Sequence, residues 1–168
     1  ELRAFLSGIY KDSDPKKYRE TLQSLFLQSG DWKYYEPLKK ACSPEEWQEQ
    51  LGKILNHFSE NRFKDWFGGS KLVEIYLKEK MYDQALAVVL ARHSLNALSL
   101  YHNDLSFRYP EQYFNSYREL IIAFADRGMG RKHYQEVVSY LKKMKSMQGY
   151  EGAVSEIIGL LRVEHRKK

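Results

Sequence analysis

Apolar residues recur along this chain with the 3.6-residue period of an α-helix almost without interruption, and only two to five residues separate one periodic stretch from the next. Such short gaps constrain the fold strongly. A helix joined to its successor by so few residues must turn back alongside it. The stripes run through Leu2, Phe5, Leu6 and Ile9, then Tyr18, Leu22, Leu25 and Phe26. After Gly30 a short segment carries Trp32, Tyr35 and Leu38. Ser43-Pro44-Glu45-Glu46 reads as a helix start: a Ser N-cap, Pro at the first helical position, and Glu three residues after the cap. It opens the stripe Trp47, Leu51, Ile54, Leu55, Phe58, which keeps to one helical face.

Phe63, Trp66 and Phe67 form a short aromatic turn before Gly68-Gly69. Leu72 to Leu77 is apolar on most sides, as in a helix covered by neighbours. Tyr82, Ala85, Leu86, Val89 and Leu90 continue the pattern, and a further helix is predicted from about Leu95 to Phe107, with Leu98, Tyr101 and Leu105 inward. Pro110 starts the stripe Phe114, Tyr117, Ile121, Phe124, Ala125, and Gly128 and Gly130 stop it in a left-handed turn. The last two helices carry Tyr134, Val137, Val138, Leu141, Met144, and then Tyr150, Ala153, Val154, Ile157, Ile158, Leu161, all read as packing residues. No stretch alternates with period two. The expected fold is all-α: about nine helices in antiparallel hairpins, stacked as a tetratricopeptide-like α-solenoid. It forms a single helical-repeat domain over 1–168, with N-terminal helices in 1–67 and repeat-like helices in 70–168.

A weak internal repeat agrees with stacked hairpins. Tyr-x-x-Ala/Val followed by aliphatics recurs at Tyr82-Asp83-Gln84-Ala85, Tyr134-Gln135-Glu136-Val137 and Tyr150-Glu151-Gly152-Ala153, with Trp32 and Tyr35 as a degenerate further copy. The offsets are 52 and 16 residues, so no strict 34-residue period is expected.

Composition narrows function mostly by exclusion. A single cysteine, Cys42, rules out an intramolecular disulfide and points to a reducing cytoplasm. It also leaves no Cys-based zinc site in this chain, and no cofactor is expected here. No apolar run approaches the length of a membrane span, and no signal peptide pattern is present. The start at Glu1 and the bare Arg166-Lys167-Lys168 read as a piece of a longer protein. None of the five histidines pairs with another at helical spacing. His102-Asn103-Asp104 reads as a polar loop or helix surface, Cys42 as a small packed thiol, and Glu45, Glu46 and Glu49 as residues serving a helix N-terminus. Neither a phosphate loop nor a nucleophile elbow is found. The expectation is that this chain is not an enzyme.

Charge is uneven. Residues 127–168 carry ten Lys/Arg and four Asp/Glu, a net of +6, whereas the preceding 126 residues sum to −1. Arg131, Lys132, Lys142, Lys143, Lys145, Arg162, Arg166, Lys167 and Lys168 are the candidate contacts to nucleic acid or another acidic partner. Helix C-termini and solvated faces attract the same residue types, and the rings Tyr134 and Tyr150 are assigned to packing rather than to bases.

Three segments carry a family resemblance: Arg127-Gly128-Met129-Gly130-Arg131-Lys132-His133-Tyr134, Val137-Val138-Ser139-Tyr140-Leu141-Lys142-Lys143-Met144, and the ending Ile158-Gly159-Leu160-Leu161-Arg162-Val163-Glu164-His165-Arg166-Lys167-Lys168. Together they resemble the C-terminal helical region of prokaryotic SWIM zinc-finger proteins. The similarity covers about the last forty residues, is looser over 70–126, and before residue 70 is only that of a helical repeat. The family's finger needs a Cys-x-Cys pair and a later Cys-x-His, which one cysteine cannot supply, so the resemblance implies zinc in a parent protein and no metal ligand here. It implies a helical scaffold or protein-interaction module that holds a protein or peptide partner, with a nucleic-acid-binding accessory domain as the alternative. A partner groove is expected along the rings Trp32, Tyr35, Trp66 and Tyr109.

Overall fold

A computed structural model describes residues 10, 11, 13–60 and 70–165, with side chains through Val163. The apolar positions Leu2, Phe5, Leu6 and Ile9, the turn at Phe63, Trp66 and Phe67, and the basic ending Arg166, Lys167 and Lys168 lie outside the described residues. All regular structure among the described residues is helical. Among the described residues these helices follow in order: α1 (Pro15–Ser29), α2 (Trp32–Lys40), α3 (Pro44–Glu60), α4 (Lys71–Lys78), α5 (Tyr82–Ala91), α6 (Leu95–Leu100), α7 (His102–Leu105), α8 (Pro110–Arg127), α9 (Arg131–Lys145) and α10 (Glu151–His165). The helices sort into two compact units, with the division falling inside α4 between Ile75 and Tyr76.

The first unit is built on α1, which packs on both α2 and α3. Asp14 caps α1 by accepting from the Lys17 amide at 3.0 Å, and Gly30 ends it in the left-handed conformation with its N–H on the Phe26 carbonyl. The start predicted at Ser43 is present. Its hydroxyl accepts from the Glu46 amide at 3.2 Å, and its own amide donates to the Glu46 carboxylate at 2.9 Å, a reciprocal capping box. Glu46 also meets Arg19 at 3.0 Å, which ties α3 to α1. Glu49 bonds Lys53 one turn on, so this carboxylate cluster is occupied by helix chemistry.

The core of this unit is aromatic. Phe26 and Tyr35 are fully buried, and their ring centroids lie 4.9 Å apart. Trp32 and Phe58 each approach Phe26 at 5.7 Å, and Trp47 meets Tyr35 edge-on at 5.2 Å. Tyr35 was expected on a groove surface. With no exposed area it is a core ring, and Trp32 is half-buried beside it under the Lys71 ammonium, 4.4 Å from its ring centre.

In the second unit α8 is the axis, packing on α6, α9 and α10, while α9 also reaches α10 and α6. The predicted helix from Leu95 to Phe107 is two helices. Tyr101 leaves the helical region at φ −100°, ψ 16°, so α6 stops at Leu100 and α7 begins at His102. Long-range side chains take the carbonyls at that break. The Tyr113 hydroxyl donates to Leu98 O at 3.3 Å and the Lys143 ammonium to Ser99 O at 2.5 Å. Helix-end carbonyls that lack an intrahelical partner are satisfied in this way.

The link between α8 and α9 also differs from expectation. Gly128 is extended at φ −133°, ψ 163°, and Gly130 sits at φ 95°, ψ 164°, a region open to glycine but not the left-handed helix turn. The extended path lets the His133 ring fold back under Gly128, where an added Cβ would fall 2.6 Å from Nδ1. The His133 ring lies tilted against Phe124, centroids 4.7 Å apart, and reaches the Ala125 carbonyl at 3.3 Å, so it closes the α8–α9 turn.

Candidate functional site

The sequence assigns the stripe Tyr134, Val137, Val138, Leu141, Met144 to packing. The structure covers only part of it. Val137 and Met144 are buried, Leu141 is half-buried, and Tyr134 and Val138 are 41% and 47% exposed. The uncovered part forms a wall of an open groove of about 390 Å³ between α9 and α10. Ala125 of α8, Val137 and Leu161 make its buried floor, and Ile158 of α10 faces the α9 wall. Lys142, Lys145 and Arg162, all exposed, stand on its rim, and no acidic side chain is among the described lining residues.

The candidate basic contacts therefore separate. Lys142, Lys145 and Arg162 come together around an apolar groove. Lys143 points away from it, half-buried, with its ammonium on the Ser99 carbonyl. Arg131 and Lys132 are exposed in the first turn of α9. Of the rings expected along a partner groove, Tyr35 is buried, while Trp32 and Tyr109 are half-buried. Tyr35 and Trp32 belong to the first unit's ring cluster. Tyr109 is half-buried and donates to the Asp83 carboxylate at 2.6 Å, joining the start of α8 to α5 beside Arg108, which lies 3.8 Å over the Tyr82 ring. Trp66 lies outside the described residues.

A second polar constellation is hidden under α8. His102, read from the sequence as a polar surface residue, is only 6% exposed. Its ring meets Tyr113 and Tyr117 edge-on, at 6.1 and 5.9 Å. Its Nε2 lies 3.2 Å from the Ser146 hydroxyl. This resembles a nucleophile–base pair, but the hydrogen bonds run the other way. Ser146 Oγ already donates to the Lys143 carbonyl at 2.7 Å, so its remaining role is acceptor and His102 Nε2 carries the proton. Nδ1 is buried with no protein partner among the described residues, so nothing orients the ring as a base.

Burial first, and the nearby Lys143 cation second, push the His102 pKa below its ordinary 6.5. The imidazole is therefore neutral in the folded chain, and the unfolded chain takes up a proton first as pH falls. The His102 contribution is fully present above pH 6.5 and is lost on acidification below it, until the folded ring also protonates. The melting temperature of His102→Leu is expected to fall less than that of the parent chain between neutral pH and about pH 5. Parallel curves for the two proteins would show that burial does not lower the His102 pKa in the fold.

Cys42 is half-buried after α2, and desolvation raises its thiol pKa, which disfavours thiolate chemistry. Among the described residues no group of three or more His, Cys, Asp or Glu side chains is placed to hold a metal ion. Likewise no helix among them is long and apolar enough to cross a membrane. The comparisons with known proteins add no relative: no family model, no curated protein and no solved structure matches this chain.

Proposed function

We propose that this chain is a non-enzymatic helical scaffold that holds a protein partner in the groove between α9 and α10. One observation carries the reading. Tyr134 and Val138 sit on a helix stripe of the kind that is normally covered, yet they are left open above an apolar floor. The finer architecture proposed is a tetratricopeptide-like stack of antiparallel hairpins. Contacts between helices two apart in the chain, α1 with α3, α6 with α8 and α8 with α10, support it, since stacked hairpins touch in that order. The segments at 127–168 further support placing the chain in the helical region of a SWIM zinc-finger-like protein of the cytoplasm. Zinc would then belong to a finger that this chain does not contain.

Selection of an unbiased peptide library on the whole chain, with counter-selection on Val138→Asp, tests the reading. Val138 is exposed enough for the aspartate to be solvated without disturbing the core. Peptides retained by the parent chain and lost by the variant are the expected result. Failure to recover any Val138-dependent peptide would overturn it. Phosphate contact by the basic end has less support, because Lys143 is engaged on Ser99 and the remaining rim cations surround aliphatic side chains. DNA or RNA binding that weakens steeply with salt and disappears on charge reversal of Lys142 and Lys145 would put that alternative first.

A further inference from the structure

We infer that the occupant of the groove is an amphipathic α-helix with acidic residues flanking its apolar stripe, an inference that rests on the groove being an interaction site. The floor is made of aliphatic side chains, and the residues that carry them, Ala125, Val137 and Leu161, lie inside helices whose backbone groups bond one another. An extended peptide laid there would leave its amides and carbonyls facing hydrocarbon, at a cost of a few kcal/mol for each unpaired group. A helix satisfies its own backbone and needs only a stripe of apolar side chains.

The groove also has the length of such a stripe. Tyr134, Val138, Leu141 and Lys145 follow at i, i+4, i+7 and i+11 along α9, a span of about 16 Å. A partner helix of about 14 residues covers that span with three or four anchors.

Charge then selects among helices. The charged side chains among the described lining residues, Lys142, Lys145 and Arg162, are all cationic. A second copy of this chain presenting the same face would set cation against cation. A partner with Glu or Asp on both sides of its stripe would meet the rim with opposite charge, which steers encounter and rejects basic helices.

Defined probes test the inference: three labelled peptides of about 14 residues, measured by fluorescence anisotropy on the whole chain. The first carries Leu at i, i+4, i+7 and i+11 with Glu beside them, the second replaces each Glu with Lys, and the third scrambles the first. The Glu peptide is expected to bind about tenfold more tightly than the Lys peptide, the scale that three surface ion pairs supply together. The scrambled peptide is expected not to bind. Lys142→Glu, Lys145→Glu and Arg162→Glu combined should invert the preference, and all three positions are exposed, so folding is preserved. Equal binding of the Glu and Lys peptides would overturn the acidic partner while leaving the groove as a docking site. Binding of neither, or binding that Val138→Asp does not reduce, would overturn both.

Discussion

Phe26→Ala is expected to destabilise the first unit by about 3–5 kcal/mol. Phe26 has no exposed area and lies within 5.7 Å, centre to centre, of Trp32, Tyr35 and Phe58. Two of those neighbours are themselves fixed: Tyr35 by Trp47, and Trp32 by Tyr35 and the Lys71 ammonium. Rings held from several sides cannot collapse into the space a benzyl group leaves, so the cavity persists and the cost lies in the upper part of the usual range. Phe26→Leu, which keeps most of the volume, should cost about 1.5 kcal/mol or less. Phe58→Ala should also cost less than Phe26→Ala, because Phe58 is half-buried. Because Trp32 borders Phe26 and Trp47 borders Tyr35, near-UV dichroism and indole fluorescence will report the loss of the cluster. Hydrogen exchange of α1 and α2 amides measures the free energy. Equal costs at Phe26 and Phe58 would show that the cluster has no centre.

The helix starts and most stripes were legible in the sequence because they depend on neighbours three and four residues away. Ser43 finds Glu46 within one turn, and Trp47, Leu51 and Ile54 share a face by periodicity alone. What periodicity reports is the capacity to be covered. Tyr134 and Val137 fall on one stripe and look alike in sequence, yet Val137 is buried while Tyr134 is 41% exposed, because α10 reaches over only part of α9. Tyr35 failed in the opposite direction. A tyrosine beside Trp32 is compatible with a wet groove or a dry core, and only Phe26 and Trp47 decide between them.

The misread polar residues share one cause. His102 stands in a run with Asn103 and Asp104 and looks solvated, but its partner Ser146 is 44 residues away. Lys143 looks like one more surface cation, and its partner, the Ser99 carbonyl, is also 44 residues distant. Both contacts join the α6–α7 break to the C-terminal end of α9, at Lys143 and at its cap Ser146. A break inside an otherwise continuous helical pattern leaves no trace in the apolar period. The carbonyls it frees, and the side chains that answer them, were therefore invisible to a reading built on local spacing.

Tyr113 and Tyr117, one helical turn apart on α8, are expected to respond to the same chemical change with opposite signs. Both are fully buried, their rings lie 5.9 Å apart, and burial raises both phenol pKa values far above the ordinary 10.0. The Tyr113 hydroxyl donates to Leu98 O, whereas the Tyr117 hydroxyl is buried with no protein partner among the described residues. Tyr113→Phe removes a made hydrogen bond and should cost about 0.5–1.5 kcal/mol. Tyr117→Phe removes an unpaired buried dipole and should stabilise the second unit by about 1 kcal/mol or more. Truncation separates this polar effect from packing: Tyr117→Ala should cost about 3–5 kcal/mol, since the ring braces His102 and Tyr113 together. Denaturant melts of the three variants decide the point. A destabilising Tyr117→Phe would mean that the hydroxyl is bonded in solution, and that α8 packs more loosely against its neighbours at this point than the structure shows.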